Sequence, residues 1–202
     1  MTPANILILP GWQNSGADHW QSRWERAHGY TRVEQHDWQR PLRGDWIARL
    51  EDVLLLCTEP AVLVAHSLGC LCVATWAAHS RNTHRVKAAL LVAPPDLARS
   101  NIAPALHSWA SVPLGKLPFR AALFASNNDP FCNLEKARAL ASAWGAEFNL
   151  IEGGGHLNAD SGLGDWPLGH DKLIGIWGQS PNSPSLQLAR RVGAMRRSEI
   201  GV

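Results

Sequence analysis

Residues 61–65 read Ala-Val-Leu-Val-Ala, five apolar side chains with no polar break. A strand sends alternate side chains to opposite faces, so such a run is stable only where both faces are covered. That demand points to a parallel sheet flanked by helices and argues against a half-exposed antiparallel one. Ala88–Ala93 and Ala121–Ala125 repeat the signal, and shorter runs stand at Ile6–Leu9, Val33–His36 and Phe148–Ile151. Amphipathic stretches lie between them. Trp46, Leu50, Val53, Leu54 and Cys57 share a helical face, with Asp45 as the expected N-cap. Leu134, Ala137, Leu140, Ala141 and Trp144 share another, between Asn133 as cap and Gly145 as stop. Six strands joined by crossovers predict an α/β chain with one mainly parallel, doubly wound sheet.

At 202 residues the chain has room for one substantial core and is short for two domains. Regular patterning fades after residue 177, so 1–177 is expected to form the domain and 178–202 a weakly structured tail. Within the tail, Leu186, Leu188, Ala189 and Val192 are spaced for a short helical piece. Apolar residues make up 46% and charged residues 18%, the balance of a globular chain rather than a disordered one. A formal charge of +2 offers no field to gather nucleic acid or a membrane surface. The basic cluster Arg190, Arg191, Arg196 and Arg197 lies in the tail. No apolar run near the start has the length of a signal core or a membrane span, so a cytoplasmic location is the default expectation. Cys57, Cys70, Cys72 and Cys132 lack zinc-site spacing and read as small buried hydrophobes. Trp20 and Trp24, four apart among ten tryptophans, are expected in the core or a pocket wall. Nothing in the sequence fixes an oligomeric state.

The apolar run at 61–65 leads into His66-Ser67-Leu68-Gly69 and then a helical pattern through Trp76. A buried strand, a sharp turn carrying serine and a helix lift the hydroxyl above the carboxyl edge of the sheet. The turn needs small neighbours, and Ala65 and Gly69 supply them, with alanine standing where glycine is usual. The helix N-terminus then sets positive potential and the Leu68 N–H where an oxyanion would form. The alternative is a serine that merely caps the helix.

A nucleophilic serine needs a base, and the base needs an orienting acid. His156 fits as base, because the last strand-like run is followed by Gly153-Gly154-Gly155 and then this histidine. His66 flanks the serine and is expected to point elsewhere, and His170 falls in a later helical stretch. Two acids compete: Asp129 in Ala125-Ser126-Asn127-Asn128-Asp129-Pro130, and Asp96 in Ala93-Pro94-Pro95-Asp96. Both follow expected strand ends. Chain order of serine, acid and histidine, with one helix–strand pair between acid and base, favours Asp129 and leaves Asp96 open. A second oxyanion donor is expected from the loop Leu9-Pro10-Gly11-Trp12-Gln13-Asn14-Ser15-Gly16, with the Trp12 N–H first and the Gln13 N–H second. That loop has neither G-x-G-x-x-G nor a Walker lysine, so no nucleotide is expected on it. Asn158, Asp160 and Asp165 match no standard metal set and read as turn residues, so neither metal nor organic cofactor is expected. The proline-rich segment 94–118 follows a strand end and reads as a cover over the substrate side, or else as a plain surface excursion.

Over residues 5–177 the sequence resembles the small serine hydrolases of the retinoblastoma-binding-protein-9/YdeN group, which are compact single-domain α/β-hydrolases. The resemblance rests on the Gly11 loop followed by His19-Trp20, on His66-Ser67-Leu68-Gly69 and on Ser126-x-x-Asp129-Pro130. It rests most on Gly155-His156-Leu157-Asn158-x-x-Ser161-Gly162-x-Gly164-x-Trp166-Pro167. It implies a triad of Ser67, Asp129 and His156, in agreement with chain order. Ala65 and the extra tail depart from the pattern, and neither removes a catalytic group. The expected activity is cleavage of a small carboxylic ester, or an amide, through an acyl-enzyme. The other open reading is an interaction protein on a hydrolase fold whose catalysis is secondary or idle.

Overall fold

The computed structural model describes residues 5–99 and 102–178. Six strands form one all-parallel sheet: β1 Asn5–Leu9, β2 Thr31–Arg32, β3 Ala61–His66, β4 Val86–Val92, β5 Arg120–Ser126 and β6 Glu147–Ile151. Their order is β2-β1-β3-β4-β5-β6, so the chain winds outward from the centre in both directions. β3 pairs β1 from Ala61 with Asn5 to Ala65 with Leu9, and β4 from Ala61 with Val86 to His66 with Val92. Every residue of β3 is buried, which answers the unbroken apolar run.

Alternation along the strands divides the core into two layers. On one face Leu7, Leu63, Leu91 and Leu123 pack with Trp46, Trp76 and Trp144. These rings come from helices α2 Arg43–Leu56, α3 Leu68–His79 and α4 Leu134–Trp144. On the other, Ile8, Val64, Leu90 and Phe124 meet Trp20 and Trp24 of α1 Trp20–His28, Trp166, and Leu173 of α5 Pro167–Gly178. Each fully buried leucine or valine contributes roughly 1.5–3 kcal/mol, so the central strands are the most strongly held part of the chain. Trp20 and Trp24 lie edge to face with ring centres 4.8 Å apart, and both are buried as expected. Cys70, Cys72 and Cys132 are buried and Cys57 half-buried, all four unpaired.

Two sequence expectations shift. The second strand is Thr31–Arg32 rather than Val33–His36. Of that run only Val33 is buried, its N–H reaching the Ile8 carbonyl at 2.9 Å, and Glu34 and His36 face solvent. One buried side chain cannot hold an edge strand further. Helix α2 begins at Arg43 with Leu42 at the cap position, so Asp45 lies in the first turn instead of capping it. A carboxylate there still complements the helix dipole. Asn133 caps α4 through its side chain, accepting from the Lys136 N–H, and α4 stops at Gly145. Helix α5 includes Gly178, and the tail expected from there onward otherwise lies outside the described residues.

Candidate active site

Strand β3 ends at His66, and the chain turns at Ser67 with φ 52° and ψ −121° before α3 begins at Leu68. An L-residue rarely adopts that conformation, and burial on both sides of the turn enforces it. The Ser67 N–H donates to the Val92 carbonyl at 2.9 Å, across the end of β4. Gly69 is required because a Cβ there would meet the Leu9 carbonyl oxygen at 2.3 Å. Gly11 comes as close from the other side: its Cβ would stand 2.7 Å from the Ser67 Cβ. The loop after β1 therefore reaches the serine only because it carries no side chain at residue 11.

The structure brings Ser67, His156 and Asp129 together. His156 Nε2 lies 2.9 Å from Ser67 Oγ, and His156 Nδ1 lies 2.9 and 3.0 Å from the two Asp129 oxygens. The Asp129 carboxylate is almost wholly buried and also accepts the Phe131 N–H at 2.8 Å. A hydroxyl, an imidazole and a carboxylate in this sequence can carry a proton away from the hydroxyl while the carboxylate holds the ring. Asp96 takes a different role. Its carboxylate accepts the Ala98 N–H at 3.1 Å and faces Lys136 Nζ at 3.8 Å.

Near the hydroxyl, neither the Trp12 nor the Leu68 backbone N–H meets an acceptor among the described residues. The Gln13 N–H is occupied by the Trp38 carbonyl at 3.0 Å, which removes the second sequence candidate for that role. Asn158 and Ser161 cap each other around the short helical turn at 159–161, and Asp165 pairs with Arg23 at 3.2 Å, so these residues serve turns and surface pairing.

Several residues that hold the site were not singled out by chemistry. The loop after β5 grips the loop after β6 one residue at a time. Asn127 Oδ1 accepts the Gly153 N–H at 2.8 Å, Ser126 Oγ accepts Gly154 N–H at 2.9 Å, and Asn128 Oδ1 accepts Gly155 N–H at 2.7 Å. Asp129 with His156 is the fourth contact, in step with that of Asn128, while those of Ser126 and Asn127 cross. Ser126 Oγ in turn donates to Asn128 Oδ1 at 2.7 Å. From behind, His66 Nε2–H donates to the His156 carbonyl at 2.9 Å, and Trp20 Nε1–H donates to the Leu157 carbonyl at 2.8 Å. Ser126 and His19-Trp20 belong to motifs quoted above, and the asparagines between Ser126 and Asp129 carried no signal of their own.

Two more histidines back this arrangement. The rings of His19 and His66 meet at 4.7 Å, and those of His66 and His156 at 5.0 Å. Burial, then the charges of Arg32 and His156, lower the His19 pKa to about 4. Burial also pushes His66 well below its ordinary value, followed by the fields of His19 and His156. Both are neutral at pH 7, so His156 meets no positive charge from either of them. The cavity over Ser67 holds about 510 Å³ and is bordered by Gly11, Trp12, His19, Leu106, Phe131 and Asn158 among others. Leu97, Ile102 and Ala103 of the expected cover also line it.

The model of the serine hydrolase family matches residues 6–174. The chain belongs to that family. This serine hydrolase is similar in structure to a YdeN-like hydrolase from Pectobacterium atrosepticum, with TM-score 0.77, 28% identity, and coverage of 87% of this chain and 91% of that one. The ydeN gene product of Bacillus subtilis follows with TM-score 0.68, 21% identity, and 88% and 100% coverage. Carboxylesterase CesB from B. subtilis shares the fold at TM-score 0.57, 15% identity, and 89% and 86% coverage. No curated protein matches the sequence. Among the described residues no helix is long and apolar enough to cross a membrane.

Proposed function

We propose that this serine hydrolase cleaves a small carboxylic ester, or an amide, through an acyl-enzyme, with Ser67 as nucleophile, His156 as base and Asp129 as orienting acid. The observation that carries the reading is the unbroken contact chain from Ser67 Oγ through both His156 nitrogens to a buried carboxylate. Ser67 Oγ attacks the carbonyl carbon as its proton passes to His156 Nε2, giving a tetrahedral oxyanion. The Trp12 and Leu68 N–H groups hold that oxyanion, a placement supported by their free donors and by the approach of Gly11 to Ser67. Collapse expels the alcohol or amine, protonated by His156, and leaves the acyl group on Ser67. Water, activated by the same imidazole, then releases the acid. The hydrolase domain is assigned to residues 1–177.

The test is labelling with a fluorophosphonate, together with hydrolysis of an activated acetate ester. Wild type is expected to label and turn over, and Ser67→Ala to lose both while its circular dichroism and melting stay native. A Ser67→Ala protein that keeps more than a small fraction of the rate sinks the assignment. A wild type that neither labels nor turns over returns the chain to the reading of an interaction protein.

A further inference from the structure

The cavity over Ser67 is built from two chemically different walls. Strand order puts β1 on one side of β3 and β4 with β5 on the other. The β4–β5 side supplies Pro95, Leu97, Ile102, Leu106 and Phe131. Phe131 is 46% exposed, a costly position for an aromatic ring unless something covers it, and its ring stands edge-on to His156 at 4.6 Å.

The other wall, formed by the loop after β1 and by the β6 loop where it meets α1, carries hydrogen-bond donors beside the Trp12 ring. Asn14 Oδ1 is already taken by the Ser15 N–H at 2.8 Å and Arg32 Nη1 at 2.6 Å, so its amide N–H groups are what remain. Asn158 Oδ1 likewise receives Ser161 Oγ at 3.3 Å. His19 Nδ1 accepts the Gln21 N–H at 3.2 Å, which places its proton on Nε2, and that buried nitrogen has no partner. Among the described residues that line the cavity there is no aspartate or glutamate, and the one fixed charge is Arg99 of the β4 loop, whose Nη1–H donates to the Pro130 carbonyl at 2.9 Å.

Resting on the hydrolase reading above, we propose that the substrate is an ester of unlike halves. One half is an aliphatic or aromatic group seated against Leu97, Ile102, Leu106 and Phe131. The other is rich in acceptor oxygens, neutral or anionic, and lies against Asn14, His19 and Asn158. A cationic half has no carboxylate to meet there. The apolar group belongs either to the acid or to the alcohol, and two substrate series separate these cases.

The experiment uses the full chain. In one series the acyl group of 4-nitrophenyl esters grows from acetyl to octanoyl. In the other the alcohol of alkyl lactates grows from methyl to hexyl. One series is expected to gain up to about fourfold in kcat/KM per added methylene until the cavity is full. Phe131→Ser and Ile102→Asn are expected to flatten that gain. In the preferred orientation, a glycerol or glycolate half should exceed an aminoethyl or choline-like half of similar size by about tenfold. Flat responses in both series, a gain that survives both substitutions, or preference for the cationic half each overturn the proposal. Fluorophosphonate labelling of Ser67 is run beside the series. Labelled enzyme with flat series means that the two-walled pocket is wrong, whereas absence of labelling means that the hydrolase reading itself is wrong.

Discussion

The loops after β4 and β5 leave neighbouring strands at the same edge of the sheet, and each carries an aspartate within a few residues. They use their side chains differently. The β5 loop turns four consecutive side chains, Ser126 to Asp129, onto four consecutive residues of the β6 loop. The β4 loop gives its apolar residues to the cavity wall, and its Asp96 closes a local turn and faces Lys136. A carboxylate at a strand end is therefore not enough to orient a histidine. What separates the two is whether the surrounding loop also holds the chain on which that histidine sits.

The widest gap between the loops should appear in turnover. Asp129→Asn leaves an isosteric side chain that favours the wrong imidazole tautomer, and kcat/KM for an activated ester is expected to fall by up to about 10⁴-fold. The folding midpoint in urea checks that the variant is still native. If Asp129→Asn were near normal, the proposed triad would have to be redrawn.

Asn128 tests the grip itself, because it touches no reacting atom. Asn128→Ala releases the Gly155 N–H to water and takes the acceptor from the buried Ser126 hydroxyl, and a lost partner for a buried group costs about 1–3 kcal/mol. We expect kcat to fall roughly tenfold with KM little changed, and Asn128→Asp, which keeps the acceptor, to recover part of the loss. A uniform loss of folded protein with normal kcat per folded molecule would reduce the grip to a stability feature.

Acid attacks the same loop from behind. His19 and His66 are held neutral in the folded chain, whereas both would take up protons near pH 6.5 when unfolded. Unfolding therefore gains protons as pH falls, so stability is full above about 6.5 and drains toward 4. For His19 alone the loss by pH 5 is roughly 2 kcal/mol. Urea melts at pH 7 and pH 5 check this, and His19→Gln should shrink the difference; an unchanged difference would mean that the histidine is not the source.

The smallest effect belongs to Asp96→Asn. It weakens a 3.8 Å pairing with a partly exposed lysine, worth about 0–1 kcal/mol. A change in kcat/KM beyond roughly threefold would show that the β4 loop also reaches the chemistry.

The sheet was legible because β3, β4 and β5 need cover on both faces, and unbroken apolar runs state that need directly. The edge was not: β2 is held by Val33 and by Arg32, whose guanidinium pairs with Glu25 and reaches Asn14 and Ser22, and no periodicity encodes such a network. Ser67 could be named because it ends a strand buried on every residue, and His156 because Gly153-Gly154-Gly155 set it just past the last strand, although that edge strand has no buried residue. Asp129 could be preferred over Asp96 only by chain order and resemblance. Asn127, Asn128 and the backing pair His19 and His66 act through contacts between residues far apart in sequence. A single sequence lists those partners without saying that they meet.

The turn at Ser67 carries a further consequence. Its φ of 52° with ψ of −121° is comfortable only for glycine, and a serine held there costs about 1–3 kcal/mol. Selection for robustness alone would favour glycine at this position and erase the hydroxyl. The protein thus keeps the proposed nucleophile against a standing thermodynamic pull, and the tightly covered β3 and α3 on either side are what let it do so.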